Sequence, residues 1–85
     1  MPTTCFFYGI AIQMFWNDHA PPHFHALYGD DEVIISIEML TVLRGGLPRR
    51  ALSLVIEWAD HLAELMENWE LCRQHRMPQQ ILPLR

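Results

Sequence analysis

Lysine is absent from this chain of 85 residues, and all six basic side chains are arginines. Ten acidic residues outnumber them and set the formal net charge at −4. This balance excludes the broad basic surface that salt-driven binding of nucleic acid requires, so any phosphate or RNA site must be local. Because a guanidinium group favours fixed bidentate contacts, such a site would be built on arginine.

Cysteine is scarce and long hydrophobic runs are missing. Cys5 and Cys72 are far apart and show no Cys-x-x-Cys spacing, which excludes a zinc knuckle and a disulfide framework. We expect both to be buried thiols. Gly9 and Gln13 interrupt the apolar stretch near the N-terminus, and no basic segment precedes it. Neither a signal peptide nor a membrane span is predicted, and the expected location is the cytoplasm.

The length of the chain leaves room for a single domain, covering residues 1–85. Hydrophobic residues make up 51% of the sequence and charged residues 19%. This composition is rich enough in core-forming side chains for a globular fold that needs no metal or disulfide to hold it together.

The first half of the chain, about residues 5–44, has the alternating pattern of β-strands. Ile10, Ile12 and Met14 fall on one side of the clearest such segment, with smaller or polar side chains between them. The predicted strands, separated by turns rich in proline, glycine and aspartate, cover residues 9–16, 23–28, 32–38 and 41–43. The simplest arrangement is an antiparallel meander of three to four strands.

From Pro48 onwards the apolar residues recur at spacings of three and four, which is typical of a helix. One uninterrupted helix would be about 40 Å long, more than the roughly 25 Å diameter of so small a domain. We therefore expect one or two helices over about residues 48–76, packed on one face of the sheet, with a break near 60–63. The predicted fold class is α+β, followed by an extended tail over 77–85 that adds a short segment at a sheet edge.

Three histidines occur within seven residues of the segment Asp18 to His25. Alternate residues of a strand point the same way, so His23 and His25 should share one face, about 6.5 to 7 Å apart along the chain. Phe24 would then face the core, together with Ala26 and Tyr28, and the two histidines would lie on the outer or rim surface.

Three interpretations of these histidines follow from their chemistry. They could simply hydrogen-bond loop carbonyls. They could bind a divalent metal such as zinc, with His19, His23 and His25 as ligands. They could also act as acid and base, with His23 and His25 exchanging protons and Asp18 orienting an imidazole.

A second cluster, Arg49 and Arg50, stands at the predicted start of the helical region. Pro48 suits the first helical position, which makes Leu47 the N-cap, a residue with no side-chain acceptor for the free backbone amides. An anion bound to these amides and to both guanidinium groups would satisfy them. Alternatively, the arginines point into water or pair with acids such as Glu32 or Glu38.

The chain resembles a group of short prokaryotic proteins, the domain-of-unknown-function family 4160. The most specific part of the resemblance is the string Asp-His-x-Pro-Pro-His-Phe-His-Ala at residues 18–26. The other matching segments are Phe7-Tyr8-Gly9-Ile10, Tyr28-Gly29, Leu47-Pro48-Arg49-Arg50-Ala51, Glu57-Trp58-Ala59 and Glu67-Asn68-Trp69-Glu70. The chain departs from the family at Met39-Leu40, where a glycine-containing turn is expected.

The resemblance implies a stand-alone bacterial protein, encoded beside a second small protein in a pair suggestive of a toxin and its antitoxin. It implies no settled activity. Our leading interpretation is a protein-interaction module whose recognition surface combines the histidine turn with Arg49 and Arg50. The alternatives are a small phosphodiesterase or ribonuclease, which requires the histidines and arginines to converge, and a metal-binding protein. The sequence leaves open whether the protein is an enzyme.

Overall fold

A computed structural model describes residues 3–16, 19–60 and 62–84 of the chain. Five antiparallel strands form one sheet and are followed by two helices, which is an α+β arrangement. The strands are adjacent in chain order: β1 Thr3–Phe7, β2 Ile10–Gln13, β3 His23–Tyr28, β4 Asp31–Ser36 and β5 Val42–Gly45. The helices are α1 Arg49–Ala59 and α2 Ala63–Arg73.

The meander has one strand more than the sequence predicts. The bounds of β3 agree with the expected 23–28, and β4 and β5 lie within two residues of their predicted positions. The additional strand is β1, whose pairing with β2 shifts register between Thr3 and Cys5. Because of that irregularity both Thr4 and Cys5 are buried, and the strict alternation that identifies a strand in a sequence is lost.

One face of the sheet packs against the helices and forms the core. Phe24 and Ala26 are completely buried there, as predicted, whereas Tyr28 at the end of β3 is exposed. The indole of Trp58, in α1, lies 5.4 Å from the ring of Phe7 and 6.0 Å from that of Phe24, measured between ring centroids. The apolar face of α1 therefore covers the apolar side of the meander.

The predicted interruption of the helical region is confirmed. Asp60 leaves the helical conformation, with φ −60° and ψ 123°, while its backbone amide still donates to the carbonyl of Ile56. α2 begins at Ala63, and His61 lies outside the described residues. Two helices of eleven residues each fit across the sheet, which one long helix would overhang.

The turn between β4 and β5 forms at Met39-Leu40 without the glycine that the sequence analysis expects there. Leu40 adopts a left-handed conformation, with φ +52°, and its amide donates to the carbonyl of Ser36. The hydroxyl of Ser36 accepts from the amide of Met39 at 3.2 Å. At the other end of β5, Gly45 has φ +73°, and a Cβ there would overlap the carbonyl oxygen of Glu32. Glycine is therefore required at that position.

The C-terminal tail covers the β1 edge of the sheet. The amide of Ile81 donates to the carbonyl of Thr4 at 2.8 Å, and the side chain of Gln80 donates to the carbonyl of Thr3. The side-chain amide of Asn68, which is buried in α2, both donates to and accepts from the backbone of Gln79. The tail thus lies beside the edge strand, as expected, although it forms no regular strand of its own.

Both cysteines are buried thiols, as the sequence predicts. Cys5 lies in the core under the sheet and Cys72 on the inner side of α2. Burial raises the pKa of the Cys5 thiol above its ordinary value, and a backbone hydrogen bond at Phe6 partly opposes that effect. Neither helix in the described part of the chain has the length and apolar character needed to span a bilayer.

Candidate functional site

His23 and His25 lie on the same side of β3, opposite Phe24, as the strand periodicity predicts. Their ring centroids are 5.4 Å apart. Strand β3 positions them because it pairs on both sides, with β2 and with β4. The two imidazoles are therefore held by a backbone that is fixed within the sheet.

Each imidazole is oriented through its Nδ1 atom. Nδ1 of His23 lies 2.7 Å from the carbonyl oxygen of Pro21, and Nδ1 of His25 lies 2.8 Å from Oε2 of Glu32. Because a carbonyl or carboxylate oxygen only accepts, Nδ1 must carry the hydrogen in both rings. When the rings are neutral, the lone pair is therefore on Nε2.

The expected outer-surface location of the two histidines is wrong in one respect, because neighbouring aromatic rings cover most of both side chains. His23 is only 9% exposed and the side chain of His25 only 12%. The edge of Phe15 packs on His25, at 4.6 Å between centroids, and Trp69 from α2 packs on His23 at 5.1 Å. An isolated strand pattern does not reveal that a helix reaches this end of the sheet.

The sequence predicts two further residues for this site. His19 is exposed, and Asp18 lies outside the described residues. Within 3–16, 19–60 and 62–84, no group of three or more histidine, cysteine or acidic side chains is suited to hold a metal. The three-histidine zinc site and the orienting role of Asp18 stay predictions.

Glu32 is the residue of this site that sequence reasoning missed. The sequence suggests Glu32 only as a partner for the arginines, yet its carboxylate accepts from His25. The register of β3 and β4 pairs Leu27 with Glu32 and His25 with Ile34, so Glu32 is the diagonal neighbour of His25 on the same face. The tight turn at Gly29 sets this register, so the contact could have been predicted from the sequence.

The end of α2 anchors the loop that leads into the histidine strand. Trp16 stacks on His75 with the rings nearly parallel, at 5.7 Å between centroids. The indole Nε1 of Trp16 also donates to the carbonyl of Arg76 at 3.1 Å. The sequence assigned no role to His75, because only the tertiary structure brings it to this loop.

At the other sequence motif, the predicted start of α1 is wrong by one residue. Pro48 is the N-cap, and Arg49 is the first helical residue. The cap has no side-chain hydrogen bond and the first turn has no acid, as expected from the sequence. Both arginines are exposed, and their anion-binding role stays a prediction.

The structure keeps the two motifs apart. Arg50 lines a groove with Tyr8 and Tyr28, at the end of β3 opposite to His23. The strand separates His23 from Tyr28 by roughly 16 Å, and the groove lies on the side of the sheet that faces α1. A single catalytic site, in which the arginines stabilise charge beside the histidines, therefore has no geometric support.

A different surface emerges at the β5 edge of the sheet. All four residues of β5 are exposed, including Val42 at 44% and Leu43 at 45%, and Met39 in the preceding turn is 74% exposed. An open groove adjoins this turn, between residues 37–40 and the junction of the helices. Its lining includes the apolar Ile37, Leu40, Leu62 and Met66 and the acidic Glu38 and Asp60.

Comparison with known proteins assigns the chain to a family. No curated protein and no solved structure matches it. A family whose description reads "Domain of unknown function (DUF4160)" matches residues 9–70, which is well over half of the chain and includes β2 to β5, α1 and most of α2. The chain belongs to this family.

Proposed function

We propose that this protein is an interaction module that binds an extended segment of a small partner protein along β5. The observation that carries the proposal is the exposed β5 edge, which presents the apolar Val42 and Leu43. An edge strand presents unpaired backbone N–H and C=O groups, which are a template for adding a strand from another chain.

The two edges of the sheet differ in a way that favours this use of β5. At β1 the tail residues Gln80 and Ile81 occupy the edge through hydrogen bonds to Thr3 and Thr4. At β5, within the described residues, the sheet ends with β4 as the neighbouring strand. The chain therefore protects one edge with its own tail and leaves the other available.

The groove beside the β4–β5 turn indicates the chemistry of the partner. Its apolar lining suits one or two aliphatic side chains, and the exposed Glu38 favours a basic residue beside them. An extended partner segment with alternating apolar residues and an arginine or lysine matches both features. The net charge of −4 also favours a basic partner.

The irregularity of β5 explains why this edge does not favour indiscriminate sheet-to-sheet pairing. Val42 pairs with Ile35 and Arg44 with Ile34, so Leu43 is the extra residue of a bulge. A bulge and a short strand both limit backbone pairing at an edge. Side-chain contacts in the groove would then supply specificity for one partner.

The partner we propose is the product of a neighbouring gene, in a toxin-antitoxin-like pair located in the cytoplasm. The resemblance of the chain to small proteins encoded in such pairs supports this choice. If the pair has this role, expression of one gene alone should arrest growth, and expression of both should restore it. Normal growth with either gene alone would contradict the toxin-antitoxin part of the proposal.

The binding itself is tested by calorimetric titration of the untagged protein with the purified neighbouring gene product. We expect the double substitution Val42→Asp and Leu43→Asp to weaken binding at least 100-fold, because it places two charges on the docking strand. The matched control is Leu82→Asp, another exposed apolar residue, which lies in the tail beside β1. Absence of a wild-type complex, or equal affinity of the double variant, would refute strand addition at β5.

A further inference from the structure

We infer that the groove beside the start of α1 binds a proline-containing, acidic segment of another protein in the extended polyproline II conformation. This site is independent of the proposed function, because the groove lies on the side of the sheet that faces α1, whereas the proposed partner surface is the edge at β5. The lining residues come from 7–10, 28–29 and 47–51, which the sequence analysis singles out, and from one further position of α1.

Two exposed tyrosine rings line this groove. Tyr8, in the turn between β1 and β2, is 58% exposed, and Tyr28, at the end of β3, is 39% exposed. The ring of Tyr28 lies against that turn, since a Cβ built at Gly9 would be 3.5 Å from its Cε1 atom. Grooves that bind polyproline II segments are lined by aromatic rings, because proline rings pack well against them. The two tyrosines therefore favour a ligand that contains proline.

The polar groups of the groove also match the backbone of such a ligand. In the part of the chain that the structure describes, the hydroxyls of Tyr8 and Tyr28 and the guanidinium group of Arg50 have no hydrogen-bond or ion-pair partner. All three groups can donate hydrogen bonds. A polyproline II segment offers acceptors, because its carbonyls make no internal hydrogen bonds and its prolines have no N–H. The groove thus complements a backbone with many acceptors and few donors.

Arg50 determines the charge that the ligand should carry. It is exposed and is the one charged residue among the described residues that line the groove. A guanidinium group forms two parallel hydrogen bonds with a carboxylate. Charge complementarity therefore favours an aspartate or glutamate beside the prolines of the ligand. Tyrosine and arginine are also enriched among the residues that dominate binding free energy at protein interfaces.

The size and shape of the groove favour a segment of chain over other kinds of ligand. Its volume is about 240 Å³, below the about 300 to 1,000 Å³ of typical small-molecule sites. It continues along α1, where Arg50 and Leu54 also line an adjacent depression with Arg49 and Glu57. An extended segment can follow both. Two arginines on a chain of net charge −4 disfavour a nucleic acid, which needs several phosphate contacts.

The test uses the full chain and two sets of synthetic eight-residue peptides. Each peptide of the first set contains two prolines and one glutamate at a varied position, and the second set has lysine in place of the glutamate. With the aromatic rings labelled with ¹³C, the glutamate peptides should shift the resonances of Tyr8 and Tyr28, and the lysine peptides should not. Arg50→Gln should weaken binding at least tenfold. Arg73→Gln, which changes an exposed arginine of α2, is the matched control and should leave the affinity unchanged.

A charge reversal keeps the test independent of how the variants fold. Arg50→Glu should exchange the preference, so that the lysine peptides bind and the glutamate peptides do not, a gain that a misfolded variant would not show. Tyr8→Phe combined with Tyr28→Phe should weaken binding about tenfold, because the rings remain and two donors are lost. The inference is overturned if no peptide shifts the tyrosine resonances or if either variant behaves as the wild type does. Tighter binding of an eight-nucleotide single-stranded RNA at the same tyrosines would also overturn it.

Discussion

Oε2 of Glu32 lies 2.8 Å from Nδ1 of His25, across the pairing of β3 with β4. The two residues are diagonal neighbours on one face of the sheet. The contact determines which nitrogen of His25 carries the hydrogen, and the carbonyl of Pro21 does the same for His23.

The tautomers of these histidines provide the first prediction. We expect neutral His23 and His25 to be protonated at Nδ1, because both Nδ1 atoms face oxygen acceptors. Two-bond ¹H–¹⁵N spectra of the imidazole rings at alkaline pH measure this directly, with exposed His19 as an internal reference. Glu32→Ala should lower the Nδ1-protonated fraction of His25 and leave His23 unchanged. Finding either ring protonated at Nε2 in the wild type would contradict the orientation described above.

The attachment of the tail provides the second prediction. Asn68→Ala should lower the free energy of unfolding by about 1 to 3 kcal/mol, because both hydrogen bonds to Gln79 are lost and the backbone groups are left unsatisfied. Urea-induced unfolding measures the change. Glu67→Ala, an exposed neighbour on the same helix, is the control and should change stability by less than about 0.5 kcal/mol. Equal effects of the two substitutions would show that the hydrogen bonds between Asn68 and Gln79 contribute nothing specific to stability.

The Cys5 thiol provides the third prediction, which concerns alkaline pH. Burial raises the pKa of Cys5 in the folded protein above the ordinary value of 9.0, so the unfolded chain loses this proton first as the pH rises. The contribution of the buried, protonated thiol to the free energy of unfolding is therefore complete below about pH 9. It is lost as the pH rises through the pKa that Cys5 has in the folded protein. The difference in unfolding free energy between wild type and Cys5→Ala should shrink above that pH. A difference independent of pH would contradict the raised pKa.

Reactivity supplies a check that does not require a variant. At pH 8 the folded protein should react slowly with a thiol reagent such as Ellman's reagent, since Cys5 and Cys72 are both buried and the thiolate is the reactive form. Denaturant should expose two rapidly reacting thiols per chain. Rapid labelling of the native protein would show that one of them is accessible.

Much of the architecture follows from local rules. The period of two along 23–28 and the prolines before it determine where β3 begins and which residues face the core. The change of period after Pro48 predicts the helical region, and the size of the molecule predicts its break. The sequence does not predict β1, because a register shift in its pairing with β2 disrupts the alternation by which a strand is identified.

The candidate site was only partly predictable for a related reason. The shared face of His23 and His25 is a property of the strand, so the sequence contains it. The acceptor Glu32, the covering rings of Phe15 and Trp69 and the stacking of His75 on Trp16 depend on register and on helix placement. The distance between the histidines and Arg50 is likewise set by the sheet and is invisible in a linear motif.

The sequence by itself determined the fold class, the helix break, the burial of both cysteines and the common orientation of the two histidines, because short-range periodicity and composition govern these features. Only the tertiary structure decided that the histidine and arginine motifs lie at opposite ends of β3, that the tail covers β1 and that β5 is left exposed. Those relationships join residues that are distant in the chain, and their free energies depend on packing that no local pattern records.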